Sequence, residues 1–316
     1  GRILQQELDE GRLDPVIRRA TEANCWFTAE SVAFAIRAIC SDMLQPELLE
    51  TWLRPYQKQG TKTVRRVGII MAGNIPLVGF FDLLCVLASG HACRVKPSSK
   101  DTVLIGYVVD LLRTIDPAIP LRMAEQGERL DAVIATGSDN ANRYFRMLFG
   151  GIPSLLRGSR QSVAVLSGRE TAAELSGLEE DIFAYSGLGC RNVSLLFLPR
   201  GYMPELRCTA LNEKYRRNYL RERALLRMCR MPFVDLDGAV LCEDRSFPAA
   251  LSRIHYTFYD SLADVEAWLA AHDDRLQCVV SQCVRHSRRV AFGRAQHPGL
   301  TDYADDVDTM RFLGTI

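Results

Sequence analysis

The sequence has 316 residues, of which 47% are hydrophobic and 24% are charged, and its formal net charge is +1. This is the composition of a water-soluble globular protein, and the length predicts two domains. The small net charge excludes a chain-wide field that would attract nucleic acid or an acidic partner. No apolar run approaches the roughly 20 residues of a membrane-spanning helix.

The ten cysteines are scattered and form no Cys-x-x-Cys pair. The closest two, Cys278 and Cys283, lack the spacing of a zinc site, and the five histidines add no cluster, so no metal is expected. We find no charged segment followed by an apolar stretch, as in a signal peptide. Scattered thiols without a signal peptide indicate a reducing compartment, so we expect a cytoplasmic protein.

Hydrophobic periodicity predicts a chain of alternating helices and strands. Residues 1–57 are predicted to be helical, with Thr28 as an N-cap. The further predicted strands are 64–71, 92–95, 131–136, 163–166, 193–199, 231–241, 254–259 and 277–281. The further predicted helices are 80–89, 103–114, 140–149, 171–184 and 261–271.

The β-turn-α alternation indicates a parallel sheet with helical crossovers. Ligands of such sheets bind outside the carboxyl ends of the strands. The polar and glycine residues that follow predicted strands are Asn74, Lys96, Ser98, Ser99, Gly137 and Ser138. No Gly-x-Gly-x-x-Gly stands in the right place, so the usual dinucleotide fingerprint is absent.

Cys190 follows a glycine-containing loop and precedes an apolar run that predicts a buried strand. Gly187 and Gly189 permit tight turns, so a substrate can approach the backbone closely. A cysteine in this position suits a nucleophile whose own backbone N–H helps to hold an oxyanion. The alternative is a thiol buried in the core, where free cysteine is common.

Six short motifs occur in a familiar order. They are Gly73-Asn74-Ile75-Pro76-Leu77, Ala88-Ser89-Gly90, Val95-Lys96-Pro97-Ser98, Ala135-Thr136-Gly137-Ser138, Leu156-Arg157-Gly158-Ser159-Arg160 and Gly189-Cys190. Their order and gaps resemble the aldehyde dehydrogenase superfamily over residues 60–290. Within it, the Asn-Ile-Pro-Leu form and the missing dehydrogenase acid make the chain most similar to the acyl-CoA reductases of the LuxC type.

The resemblance implies an α/β, aldehyde-dehydrogenase-like fold, with a Rossmann-type cofactor domain and a second α/β catalytic domain. We expect the N-terminal helices and the dinucleotide-binding domain in 1–165, and the cysteine-bearing catalytic domain in 166–290. The tail, 291–316, would return to the cofactor domain or form an oligomer contact. The superfamily pattern also implies a homo-oligomer, a dimer or larger.

Carried over position by position, the resemblance makes Cys190 the nucleophile, and it gives the Asn74 amide to the oxyanion hole beside the Cys190 N–H. Lys96 would bind the adenosine ribose, with Ser98 and Ser99 beside it. Gly137 and Ser138 would line the pyrophosphate, and Gly158 would also contact the cofactor. Each assignment has a structural alternative. Asn74 could simply form a turn, Lys96 could extend into solvent from a strand end, and Gly137-Ser138 could be an ordinary strand-to-helix turn.

Two departures from the superfamily pattern refine the expected reaction. Hydrolytic aldehyde dehydrogenases carry a water-activating glutamate where this chain has Leu156, and an acyl-CoA reductase needs no such base. The second departure is the absence of Glu-x-Phe-Gly-Pro between 240 and 260, which leaves the second ribose contact unassigned. NAD-preferring members place an acid where Ser99 and Lys100 stand, so NADPH is expected, with NADH as the alternative.

The sequence thus predicts NADPH-dependent reduction of an acyl thioester to an aldehyde through a covalent acyl-cysteine, a reaction of fatty acid metabolism. The acyl donor would be CoA or a carrier protein, and no nucleic acid or membrane span is expected. One alternative is an acyl-phosphate reductase of the same superfamily, although Cys190-Arg-Asn-Val-Ser does not match its Cys-Asn-Ala-x-Glu context. Another is a catalytically silent, cofactor-binding or scaffold relative.

Overall fold

The computed structural model describes residues 1–59, 63–210 and 212–316. The chain forms two compact units: Gly1–Ser159 together with Gly299–Ile316, and Arg160–Pro298. Among the described residues, no helix has both the length and the apolar character needed to cross a membrane.

The first unit begins with short helices, as the periodicity predicts. They are α1 (Arg2–Asp9), α2 (Asp14–Ala23), α3 (Ala29–Ala38) and α4 (Pro46–Leu53), with a π-helical turn at Ile39–Met43 and a 3-10 turn at Arg54–Gln59. The predicted N-cap is confirmed, because the Thr28 side chain accepts a hydrogen bond from the Ser31 N–H. The Ser31 side chain in turn accepts a hydrogen bond from the Thr28 N–H. This reciprocal pair satisfies two backbone donors at the start of α3.

A five-stranded parallel sheet forms the centre of the first unit. Its elements are β1 (Arg66–Ile70), α5 (Phe80–Ala88), β2 (Ala92–Lys96), α6 (Thr102–Ile115), β3 (Leu121–Met123), β4 (Ala132–Thr136), α7 (Asp139–Phe149) and β5 (Ser154–Arg157). The strand order is β3-β2-β1-β4-β5, with β1 in the middle and its Val67 and Ile69 buried. This is the order of Rossmann-type sheets and confirms the predicted parallel sheet with helical crossovers.

The second unit contains a seven-stranded sheet. Its elements are β6 (Gln161–Val165), α8 (Ala172–Phe183), a 3-10 turn (Ala184–Gly187), β7 (Val193–Pro199), α9 (Glu213–Met228), β8 (Val234–Asp235), β9 (Val240–Glu243), β10 (Arg253–Tyr259), α10 (Leu262–Ala271), a 3-10 turn (Asp273–Arg275), β11 (Leu276–Ser281) and β12 (Arg289–Val290). The order is β12-β11-β6-β7-β10-β9-β8. All described pairings are parallel except β8 with β9.

The prediction of one strand over 231–241 is wrong. The chain there makes two short antiparallel strands, β8 and β9, joined by a tight turn in which Asp237 has a φ of 51°. The turn closes through a hydrogen bond from the Leu236 N–H to the Ala239 carbonyl, at 2.9 Å. Asp237-Gly238 is a strong hairpin signal, because both residues tolerate the left-handed region.

The C-terminal residues complete the first unit through α11 (Thr309–Gly314), after a 3-10 turn at Ala304–Asp306. The Arg157 guanidinium, at the end of β5, donates to both carboxylate oxygens of Asp82 at 2.6 Å and to the Thr309 hydroxyl at 2.7 Å. The Arg157 and Asp82 side chains are 5% and 8% exposed, so the pair is buried. The Arg157 guanidinium therefore joins β5 to α5 by an ion pair and to α11 by a hydrogen bond.

Replacing Asp82 with Asn removes the counter-charge of a buried guanidinium, so we expect Asp82→Asn to lose about 3–5 kcal/mol of unfolding free energy. The matched control is Glu125→Gln, which breaks the exposed Arg122–Glu125 pair of the same unit and should cost about 0–1 kcal/mol. Urea unfolding followed by circular dichroism measures both. Equal losses in the two variants would contradict the structural importance of the buried pair.

Candidate functional site

The predicted cofactor residues all lie at the carboxyl edge of the first unit's sheet. They are Lys96 at the end of β2, Ser98 and Ser99 after β2, Gly137 and Ser138 after β4, and Gly158 after β5. Strands β2 and β4 flank β1, so the crossover from β1 to β2 and the crossover from β3 to β4 run in opposite directions along the sheet. Doubly wound sheets bind their ligands at such a switch point.

Gly73 brings the loop that carries Asn74 against the loop after β2. A Cβ atom at Gly73 would lie 2.6 Å from the Cβ and 2.7 Å from the Oγ of Ser98, closer than atoms can pack. Only glycine therefore permits this approach. Asn74 itself is half-buried in the turn that follows β1.

Asp101 fixes the same two loops and was not singled out by the sequence analysis. Its carboxylate accepts the Leu77 N–H at 2.8 Å, and Leu77 has a φ of 56°, in the left-handed region. Burial raises the pKa of Asp101 to about 7, against the lowering effect of the Leu77 hydrogen bond. An acid just before an amphipathic helix predicts an N-cap, but this side chain holds a strained loop instead.

The turn between β4 and α7 lies beside Gly158. Ser138 caps α7 by accepting the Ala141 N–H at 3.3 Å. The carboxylate of Asp139, in the first turn of α7, accepts the Ser159 N–H at 3.3 Å, and a Cβ at Gly158 would lie 3.1 Å from it. A helix N-terminus favours an anion, so a bound pyrophosphate would share this N-terminus with the Asp139 carboxylate.

Cys190 lies in the second unit, in the connection from α8 to β7. Three successive residues of this connection have left-handed backbone conformations: Tyr185 with a φ of 53°, Ser186 with 56° and Gly187 with 68°. Cys190 is exposed, whereas most of β7 is buried. The residue is therefore not a core thiol, and the alternative considered from the sequence is wrong.

A buried hydroxyl holds the main chain at Cys190. The Ser162 Oγ, on β6, donates to the Cys190 carbonyl at 2.9 Å and accepts the Cys278 N–H, on β11, at 3.2 Å. Ser162 has no exposed surface. Two adjacent strands therefore fix the direction of the Cys190 peptide through one side chain.

The Asn192 carboxamide bridges the two ends of the connection. Its Oδ1 accepts the Gly189 N–H at 2.8 Å. Its Nδ2 donates to the Ala184 carbonyl at 2.9 Å and to the Asp181 and Ile182 carbonyls at 3.2 Å. Asn192 is 5% exposed, so these contacts are shielded from water.

Asp181 joins α8 to the segment after β12. Its two carboxylate oxygens accept the Gly293 N–H at 2.7 Å and the Ala295 N–H at 2.8 Å. The Arg191 Nε donates to the Ala295 carbonyl at 2.5 Å, so the same segment also contacts the residue after Cys190. Burial raises the pKa of Asp181 to about 7, against the lowering effect of the two backbone N–H groups.

Sequence reasoning found Cys190 but not Ser162, Asp181 or the role of Asn192. Asn74 lies in the first unit and Cys190 in the second, and their joint role in an oxyanion hole stays a prediction. Within the described part of the chain, no group of three or more histidine, cysteine or acidic residues is arranged to hold a metal ion.

The fold is that of aldehyde dehydrogenases. The chain matches the Mycobacterium tuberculosis aldehyde dehydrogenase complexed with NAD⁺, with a TM-score of 0.60 and 14% identity over 89% of this chain and 71% of that one. It matches aldehyde dehydrogenase 21 from Physcomitrella patens, in complex with the product succinate, with a TM-score of 0.65 and 9% identity over 99% and 83%. It also matches an NAD-dependent benzaldehyde dehydrogenase from Corynebacterium glutamicum, with a TM-score of 0.55 and 13% identity over 89% and 73%.

No protein-family model and no curated protein matches the sequence. The matches to solved structures, at these low identities, show the fold: an aldehyde-dehydrogenase-like α/β protein with a Rossmann-type unit. The predicted fold class is therefore confirmed.

The close approach at Gly73 gives a test by compensating variants. Gly73→Ala should cost about 1–3 kcal/mol of unfolding free energy, because the new methyl group overlaps Ser98. Ser98→Gly removes the overlapping atoms, so the double variant should recover about 0.5–3 kcal/mol relative to the sum of the single changes. Unfolding of the wild type, both single variants and the double variant completes the cycle, and strict additivity would show that the loops do not meet in this way.

Proposed function

We propose that the protein is an acyl-CoA reductase that uses NADPH to convert an acyl thioester into an aldehyde. The observation that carries this proposal is the exposed Cys190 on an anchored, glycine-containing turn of an aldehyde dehydrogenase fold. Catalytic cysteines need both access and a fixed position, and this turn supplies both.

In the proposed reaction the Cys190 thiolate attacks the thioester carbonyl, and the carbon–sulfur bond to CoA breaks as the CoA thiolate leaves. The Cys190 N–H holds the oxyanion, together with the Asn74 amide on the superfamily pattern. The reduced nicotinamide, when bound, supplies the hydride that reduces the acyl-cysteine. The hemithioacetal then releases the aldehyde and returns the electron pair to the Cys190 sulfur.

The residues at the carboxyl edge of the first sheet suit a dinucleotide. Lys96, Ser99 and Lys100 are exposed in or just after β2, where an adenosine ribose would lie on this fold. A hydroxyl and two ammonium groups favour a ribose 2′-phosphate over a bare hydroxyl, so NADPH is the proposed cofactor and NADH the alternative.

Leu156 supports reduction over hydrolysis. It is half-buried on β5, in register with Ala135 on β4. Hydrolytic relatives have a glutamate at the matching position, and base assistance to an attacking water is worth about 10²–10⁴-fold. Leucine offers no such base, so the acyl-cysteine survives until it is reduced.

Cys190→Ala tests the proposed function directly. We expect the wild type to retain acyl label from radioactive acyl-CoA after denaturation, and Cys190→Ala to lose it, because no other thiol is proposed to accept the acyl group. Cys229→Ala is the matched control, since Cys229 is also exposed in the second unit. With NADPH present, the wild type should release aldehyde in excess of free acid.

Three other results would contradict the proposal. Label that persists in Cys190→Ala would remove Cys190 as nucleophile, and hydrolysis as fast as reduction would remove the role of Leu156. Labelling by an acyl phosphate but not by acyl-CoA would favour the acyl-phosphate reductase. Acylation from a carrier protein in place of CoA would keep the chemistry and change the donor.

Ser99→Glu tests the choice of cofactor. The new carboxylate would repel a 2′-phosphate, so the NADPH affinity should fall by about 1–3 kcal/mol while NADH binding changes little. Fluorescence titration of each reduced cofactor measures both affinities. Ser41→Glu adds the same charge at an exposed position of the first unit and should leave the preference unchanged. Equal weakening of both cofactors by Ser99→Glu would remove Ser99 from the ribose site.

A further inference from the structure

The turn before Cys190 is costly to form. Tyr185 and Ser186 carry side chains yet adopt left-handed conformations, in which the Cβ atom lies too close to the following carbonyl oxygen. The same turn leaves the last carbonyls of α8 without helical donors, and such groups need other partners when they are buried. Something outside the helix must therefore hold this turn.

We infer that Asn192 is the positioning residue of the nucleophile, because its carboxamide closes the turn that presents Cys190. Its two N–H groups donate to the carbonyls of Asp181, Ile182 and Ala184, and its oxygen accepts a hydrogen bond from the Gly189 N–H. This inference rests on the proposed function, since it assigns a role toward the Cys190 sulfur.

The chemistry of the site requires an asparagine. The donors must face three carbonyl oxygens while the acceptor faces one N–H, and a primary amide provides both on one planar group. An aspartate has the same shape but would set a carboxylate oxygen against the carbonyls at the end of α8. An alanine would leave all four backbone groups without these contacts, and a buried polar group without a partner is destabilising.

Contacts on the other side of the loop prevent it from moving as a whole. Ser162 fixes the Cys190 carbonyl, and Arg191 donates to Ala295. The main-chain carbonyl of Asp181 accepts a hydrogen bond from the Asn192 amide, and its carboxylate accepts the N–H groups of Gly293 and Ala295. The turn closed by Asn192 is thus attached to β6, to α8 and to the segment after β12, all within the second unit.

A positioning role makes a distinct prediction for Asn192→Asp. Misplacing a reacting atom by about 1 Å can cost about 10²-fold in rate, so the rate of acylation of Cys190 by saturating acyl-CoA should fall by about that factor. The KM should change little. Alkylation of Cys190 by iodoacetamide needs only an accessible thiolate, so its limiting rate at high pH should equal that of the wild type, while the new carboxylate moves the pH midpoint upward.

Asn218→Asp is the matched control, because Asn218 also donates its amide to a backbone carbonyl, that of Lys214, at 2.9 Å in the same unit. Its acylation and alkylation rates should both equal those of the wild type. Hydrogen exchange measured over residues 184–191 supplies a readout that needs no activity. Exchange there should be faster in Asn192→Asp than in the wild type, and unchanged in Asn218→Asp.

Each outcome has a defined meaning. If the acylation rate and the limiting alkylation rate of Asn192→Asp fall together, or if Asn218→Asp loses as much acylation, Asn192 has only a general structural role and the inference is wrong. Unchanged exchange over residues 184–191 would also overturn it. If the wild type is never acylated but exchange rises as expected, the proposed function fails while the closure of the turn by Asn192 stands.

Discussion

Backbone carbonyls at the end of a helix need donors from elsewhere when they are buried, and the Cys190 connection depends on the Asn192 carboxamide that supplies them. The helix α8 ends at Phe183, and the chain must then reverse toward the buried strand β7. The Asn192 carboxamide supplies donors to the helix end and an acceptor to Gly189. The Asn192 contacts are buried, whereas Cys190 is exposed.

The first unit also contains a left-handed loop that a buried polar side chain holds, and there the group is a carboxylate. Leu77 is left-handed in the loop after β1, and the buried Asp101 carboxylate accepts its N–H. In both units, therefore, a buried polar side chain holds a strained loop at the start or end of a parallel strand. Strain of this kind persists only where the surroundings over-determine it, and it concentrates at functional sites.

The sequence predicted features that arise from local chemistry. Alternating helices and strands follow from hydrophobic periodicity, and the Cys190 loop was found because glycines and a strand-forming run stand beside it. The hairpin at Asp237-Gly238 was missed because the apolar residues on either side suggested one continuous strand. The Asp-Gly pair is a local signal for a hairpin turn, and it is a stronger guide to two strands than the apolar residues are to one.

The buried polar contacts could not be predicted in the same way. Asp181 meets Gly293 across 112 positions of sequence and Leu77 meets Asp101 across 24. No periodicity or spacing reveals which distant backbone groups a buried side chain will serve. Even for Asn192, whose partners lie within 11 positions, only the polarity of the side chain is evident from the sequence. Its role depends on the left-handed turn, which the residue types Tyr and Ser do not suggest.

A fixed cysteine and a missing base are connected requirements in the proposed reaction. The Cys190 sulfur is used twice, first as the attacking group and later as the leaving group when the aldehyde departs. Between these events the acyl-cysteine must avoid water, and Leu156 gives water no base. Reduction in this reaction also depends on position, since hydride must reach the same carbon that the sulfur holds. A loop that is ordered before the substrate arrives spends no binding energy on ordering during either event, which is the advantage of preorganisation.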